Sequence, residues 1–152
     1  MRFLFIEDDE VKRERISSFL RTHYPSVELD TKNSVQSGLR SIIAQTPDLV
    51  ILDMNLPNYD QTAYEAGGRL HQFGGRELLR QMQRRRIHVP MIVVTQFDYF
   101  EVGAGKMTLT ALDIELKRRF PENYIGKVYY HISNDDWTKE LSGFIDSIIP
   151  SK

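Results

Sequence analysis
Carboxylates gather at two places in this chain, each at the end of an apolar run. The stretch "EDDE" sets Glu7, Asp8, Asp9 and Glu10 directly after "RFLFI", and "DLVILDMNLP" puts Asp53 at the close of "LVIL". A third run, "PMIVVT", ends on the hydroxyl of Thr95. Carboxylates brought together repel, and their pKa values rise unless a cation is shared. A donor set of oxygens alone suits Mg²⁺, which takes one or two carboxylates beside waters and phosphate oxygens. Each group also has a plainer use. Acids at a helix start complement the helix dipole, and an aspartate leaving a strand often makes a turn. The elements that carry these residues decide between the two.

Short apolar runs alternate with helix-like patterns along the whole chain. "RFLFI" (2–6), "VELDT" (27–31), "LVILD" (49–53), "PMIVVT" (90–95) and "YIGKVYYHIS" (124–133) read as strands. Between them, "EVKRERISSFLRTHY" (10–24) brings Val11, Ile16, Phe19 and Leu20 onto one helical face, and Ser34 can cap "SVQSGLRSIIAQ" (34–45). Further helices are expected over 75–87, 107–120 and 135–149, the last with Trp137, Leu141, Phe144, Ile145 and Ile148 inward. Five βα units imply one α/β domain over 1–152, a doubly wound parallel sheet with helices on both faces and right-handed crossovers. Ligands of such sheets sit at the carboxyl ends of the strands. Glu7, Asp8, Asp53 and Thr95 all fall there.

The composition sets outer limits. The chain has 152 residues, a formal net charge of −1 and no cysteine, which excludes disulfides, thiol catalysis and thiolate metal sites. That charge gives no general attraction to nucleic acid or to a membrane. "MRFLFI" is too short for a signal peptide, and no apolar stretch approaches the roughly 20 residues that span a bilayer; a cytoplasmic location is expected. Two connections, 58–74 and 96–106, are long for a compact domain.

"FLFIEDDEVKRER", "DLVILDMNLP" and "MIVVT", in this order on alternating strands, resemble the acidic-pair, phosphoacceptor and hydroxyl motifs of two-component response-regulator receiver domains. The resemblance implies a flavodoxin-like sheet of strand order 2-1-3-4-5. It implies Asp53 as phosphoacceptor and Mg²⁺ held by Glu7, Asp8, Asp53 and the main-chain carbonyl of Asn55, with Asp9 a more variable third acid. Thr95 corresponds to the hydroxyl that bonds the phosphoryl group, and Pro57 to the proline that follows the acceptor strand. The implied role is a stand-alone signalling domain rather than an enzyme. It would be phosphorylated by a histidine kinase or phosphotransfer protein and act by contact with an output protein. A pseudo-receiver of the same fold, working as a non-phosphorylated interaction module, is the alternative. A small Mg²⁺-dependent phosphohydrolase is a third reading, disfavoured because "DMN" lacks a second acid two residues after Asp53.

The family places a lysine at the end of the fifth parallel strand, usually before a proline. Lys127 is the lysine of that strand, but Val128 follows it, and counting back from a helix cap at Ser133 or Asn134 puts Tyr130 or His131 there instead. The two alignments differ by three or four residues, about 10 Å along a strand. The 58–74 segment, with Tyr59, Tyr64 and Phe73, follows close on Asp53 and reads as a disordered or simple surface loop, with a lid or a partner-docking loop as the alternatives. "GAGKMT" (103–108) lacks the spacing of a phosphate loop, having Phe100 and Met107 where glycine and a hydroxyl are needed, and reads as a turn into a helix. "RQMQRRR" (80–86) reads as a solvated helix end, and the four histidines have no metal-ligand spacing.

Overall fold
The computed structural model describes residues 1–60, 73–102 and 105–149. In chain order its elements are β1 (Arg2–Ile6), α1 (Glu10–His23), β2 (Glu28–Lys32), α2 (Val35–Ala44), β3 (Leu49–Leu52) and α3 (Gly74–Arg84). They continue as β4 (Met91–Thr95), β5 (Tyr99–Val102), β6 (Gly105–Thr108), α4 (Leu109–Arg119), β7 (Tyr124–Tyr129) and α5 (Asp136–Ile148). Five strands form one parallel sheet ordered β2-β1-β3-β4-β7, the expected order with β7 as its fifth member.

The central strands are apolar at nearly every position because both sheet faces are covered. Alternation sends Phe3, Phe5, Leu49, Ile51, Ile92, Val94, Val128 and Tyr130 to one side, where Ile16 and Leu20 of α1 and Trp137, Leu141 and Ile145 of α5 meet them. Leu4, Ile6, Val50, Leu52, Met91 and Val93 face the other way, onto α2, α3 and α4. Ser34 does cap α2. Its hydroxyl accepts from the Ser37 amide at 3.1 Å, and the Ser37 hydroxyl accepts from the Ser34 amide at 3.2 Å.

Two local expectations are corrected. Residues 96–106 are not simply a long connection: β5 and β6 pair antiparallel as a hairpin, with Phe100 opposite Met107 and Glu101 opposite Lys106. Gly105–Thr108 is therefore strand, and the helix begins only at Leu109, capped by the Thr108 hydroxyl. In α1, Val11 is exposed and Lys12 is buried in its place. A helix repeats its face every three to four residues, so Lys12, Ile16 and Leu20 form the inward stripe and Val11 falls outside it. Most of the 58–74 insertion, including Tyr64, lies outside the described residues.

Candidate functional site: an acidic pocket closed by a buried lysine
Register sets the acids side by side. Ile6 lies opposite Leu52 in the β1–β3 pair, so Glu7 and Asp53 leave adjacent strands at the same level. Leu52 lies opposite Val93, which brings Thr95 to the same edge. Carboxylate oxygens of Glu7, Asp8 and Asp53 all lie within 4.8 Å of one another. Asp9 takes a different job. It caps α1, its carboxylate accepting from the Lys12 amide at 3.2 Å, while its own amide donates to Glu7 Oε2 at 3.1 Å. Thr95 is buried and its Oγ1 accepts from the Phe97 amide at 3.3 Å.

The segment after Asp53 is held from two sides. The Gly75 amide donates to the Met54 carbonyl at 2.9 Å, and the Val35 amide to that of Pro57 at 3.0 Å. A Cβ on Gly74 would sit 2.5 Å from the Leu56 carbonyl oxygen, and one on Gly75 2.6 Å from that of Asp53. Only glycine lets the start of α3 come so close. Met54 and Leu56 are buried as anchors, and Asn55 Oδ1 is buried with no hydrogen-bond partner.

Lys12 was not among the site residues read from the sequence. Its ammonium lies 2.7 Å from Glu7 Oε1 and 3.2 Å from Asp53 Oδ2 and donates to the Val94 carbonyl at 2.9 Å. The side chain is 2% exposed, against 0% for that of Glu7 and 6% for that of Asp53. A buried charge persists only when paired and hydrogen-bonded, and this one satisfies both conditions. Its signal in the sequence was phase: Lys12 lies one turn before Ile16 and two before Leu20.

Burial sets the protonation pattern. Desolvation pushes Glu7 up to about 8; Lys12 opposes that shift and the Asp53 carboxylate adds to it. Burial, then the charge of Asp53, also raises Asp8. For Lys12 burial disfavours the ammonium, but the facing Asp53 and Glu7 overcome it and hold the pKa above the ordinary lysine value. Among the described residues no basic side chain pairs with Asp8, so the pocket retains unbalanced negative charge. Three oxygen donors drawn together, with raised pKa values at Glu7 and Asp8, fit a hard divalent cation such as Mg²⁺.

Lys127 lies elsewhere. It pairs in register with Val93, and Tyr129 is the residue opposite Thr95, so Lys127 stops two residues, about 7 Å, short of the pocket's level. On this edge strand it borders shallow cavities, one with Asp98, Thr108, Thr110, Tyr129 and His131 and another with Lys139 and Glu140. Tyr130 faces the α1 side, 2% exposed, with its ring centroid 5.7 Å from Lys12 Nζ. The basic stretch at the end of α3 has Arg84, Arg85 and Arg86 exposed, as a solvated helix end does.

A sheet of this order, with acids at the carboxyl ends of β1 and β3, defines a doubly wound α/β domain of the flavodoxin-like class. Residues 3–123 match the response regulator receiver domain, and the chain belongs to that family. It is 34% identical over 139 residues to the uncharacterized protein y4jR of Sinorhizobium fredii, covering 90% of this chain and 91% of that one. It is 23% identical to the Detocs response regulatory protein DtcB of Enterobacter cloacae, over 91% of this chain and 94% of the relative. The response regulator protein TrrA of Thermotoga maritima, solved in complex with Mg²⁺-BeF, superposes with a TM-score of 0.63 at 18% identity, covering 97% and 98% of the two chains. Among the described residues no helix is long and apolar enough to cross a membrane.

Proposed function
We propose that this receiver domain takes a phosphoryl group onto Asp53 with Mg²⁺ bound by Glu7, Asp8 and Asp53, with the Asn55 main-chain carbonyl as a further ligand. The observation that carries this reading is the convergence of the three carboxylates, within 4.8 Å of one another, at the strand ends beside Thr95. A carboxylate oxygen of Asp53 forms the new P–O bond. The P–N bond of a phosphohistidine, or the P–O bond of an acyl phosphate, breaks, and its electron pair leaves with the donor. A bound Mg²⁺ supplies positive charge where negative charge gathers on the transferring group. The protein's part is alignment and neutralisation: the clamp on Met54–Pro57 fixes the Asp53 backbone, and in this reading the Thr95 hydroxyl bonds a phosphoryl oxygen. Phosphate comes from a histidine kinase or phosphotransfer protein, and output is by protein contact. Similarity to the response regulatory protein DtcB supports a signalling role of this kind.

One observation favours the second reading, a non-phosphorylated interaction module. Both Asp53 oxygens are already engaged, Oδ1 by the Met54 amide at 2.7 Å and Oδ2 by Lys12 at 3.2 Å. Incubation with acetyl phosphate and Mg²⁺, followed by intact-mass analysis, separates the two. Phosphoacceptance predicts the gain of one base-labile phosphoryl group in the wild type and none in Asp53→Asn. An unmodified wild type that still binds Mg²⁺ is the interaction module.

A further inference from the structure
Receivers take the cation that meets the phosphoryl group from the end of the last parallel strand, and here that place carries no lysine. Strand alternation puts Val128 and Tyr130 on the α1 side, the side of Phe5 and Ile51, and hence of Glu7 and Asp53, which follow them at even spacing. Tyr129 packs against the opposite core, and Lys127 shares its phase. The strand-end position aimed at Asp53 is therefore Tyr130, whose amide donates to the Thr95 carbonyl at 2.8 Å. Its phenol oxygen accepts from Arg15 Nη1 at 3.2 Å. The positive charge at Asp53 arrives from a helix.

We propose that Lys12, projecting from α1, is the residue that holds the phosphoryl group on Asp53, replacing a strand-end lysine whose place Tyr130 has taken. This rests on the phosphoacceptor reading above. Three contacts hold the ammonium at the required spot: Glu7 at 2.7 Å, the Val94 carbonyl at 2.9 Å and Asp53 Oδ2 at 3.2 Å. The Tyr130 ring packs at the Lys12 end group and fills the space a lysine at position 130 needs, so the two positions are occupied in exchange. An anion bonded to an Asp53 oxygen meets this ammonium first, because it already touches that carboxylate. The Val94 contact ties Lys12 to the residue before Thr95, so one side chain spans acceptor and hydroxyl strand.

Fluoroberyllate, which mimics a phosphoryl group on a carboxylate, is the probe, added with Mg²⁺ and followed by calorimetry and ¹⁹F NMR; acetyl phosphate uptake is measured in parallel. Lys12→Met is expected to lose about tenfold or more in fluoroberyllate affinity, as for a charge-assisted hydrogen bond. Lys127→Met is expected to bind as the wild type does. The double variant Lys12→Met/Tyr130→Lys returns an ammonium from the strand end and is expected to recover most of the affinity. This rescue also decides the matter if Lys12→Met alone fails to fold. Full binding by folded Lys12→Met, loss of binding in Lys127→Met, or a folded double variant without recovery each overturns the assignment of Lys12. A wild type that binds Mg²⁺ but takes neither fluoroberyllate nor acetyl phosphate overturns the phosphoacceptor reading, and the role of Lys12 with it.

Discussion
At the scale of single residues, the pocket is a problem of compensated charge. Glu7, Asp53 and Lys12 are buried together, and with one cation between two carboxylates the favoured metal-free state keeps a proton on Glu7. Its pKa in the folded protein, about 8, is raised above the ordinary 4.5. Its contribution is then complete below pH 4.5 and is lost as pH rises through 8. Urea denaturation of the metal-free protein is expected to show stability declining across this window, by up to about 1.4 kcal/mol per pH unit from this residue. Glu7→Gln, permanently neutral, should flatten the decline; a parallel curve in the variant would place the proton elsewhere. The acids themselves were legible from sequence because each ends an apolar run, which a strand-end rule makes meaningful. Lys12 was not, because a lysine inside "EVKRER" reads as solvated surface until its carboxylate partners are known to lie beneath it.

At the scale of elements, close approach rather than chemistry shapes the acceptor segment. The start of α3 presses backbone to backbone on Asp53 and Met54, and the atoms facing Gly75 cannot rotate away. Gly75→Ala is therefore expected to cost about 1–3 kcal/mol in urea denaturation and to slow phosphoryl uptake by moving the Asp53 carbonyl. Gly143, on α5, has nothing within 4 Å of an added Cβ. There Gly143→Ala should raise stability by about 0.5–1 kcal/mol, and a loss would contradict the open surface seen at that site. Strand and helix existence followed from periodicity, but the β5–β6 hairpin did not. "YFEV" and "GKMT" are only four residues each, and their inward members, Phe100 and Met107, find a core only after the turn has closed. Phe100 then packs on Phe73 at 5.6 Å between ring centroids, tying the hairpin to the entry of α3. Such a tertiary contact leaves no local pattern. Lys127 against Tyr130 was likewise undecidable locally, since a shift of register is settled only by the neighbouring strand, here by Thr95 opposite Tyr129.

At the scale of the whole molecule, a ligand that binds only the native state stabilises all of it. At a hundredfold excess over the dissociation constant this amounts to about 2.7 kcal/mol. Mg²⁺ is expected to raise the Tm by several degrees and chelation to reverse the gain. Asp8→Asn should abolish the metal dependence without lowering the metal-free Tm, because it removes a half-buried carboxylate that burial and Asp53 already disfavour. A metal response unchanged in that variant would move the cation out of the pocket. With the lysine carried by α1, both signs of charge around Asp53 come from the opening segment of the chain. Pairing of β1 with β3 brings Glu7 and Asp8 beside Asp53, and packing of α1 on those strands adds Lys12, whereas a lysine at the tip of β7 comes from the last strand in the chain. The pocket's electrostatics thus depend on shorter-range contacts, which close sooner in folding.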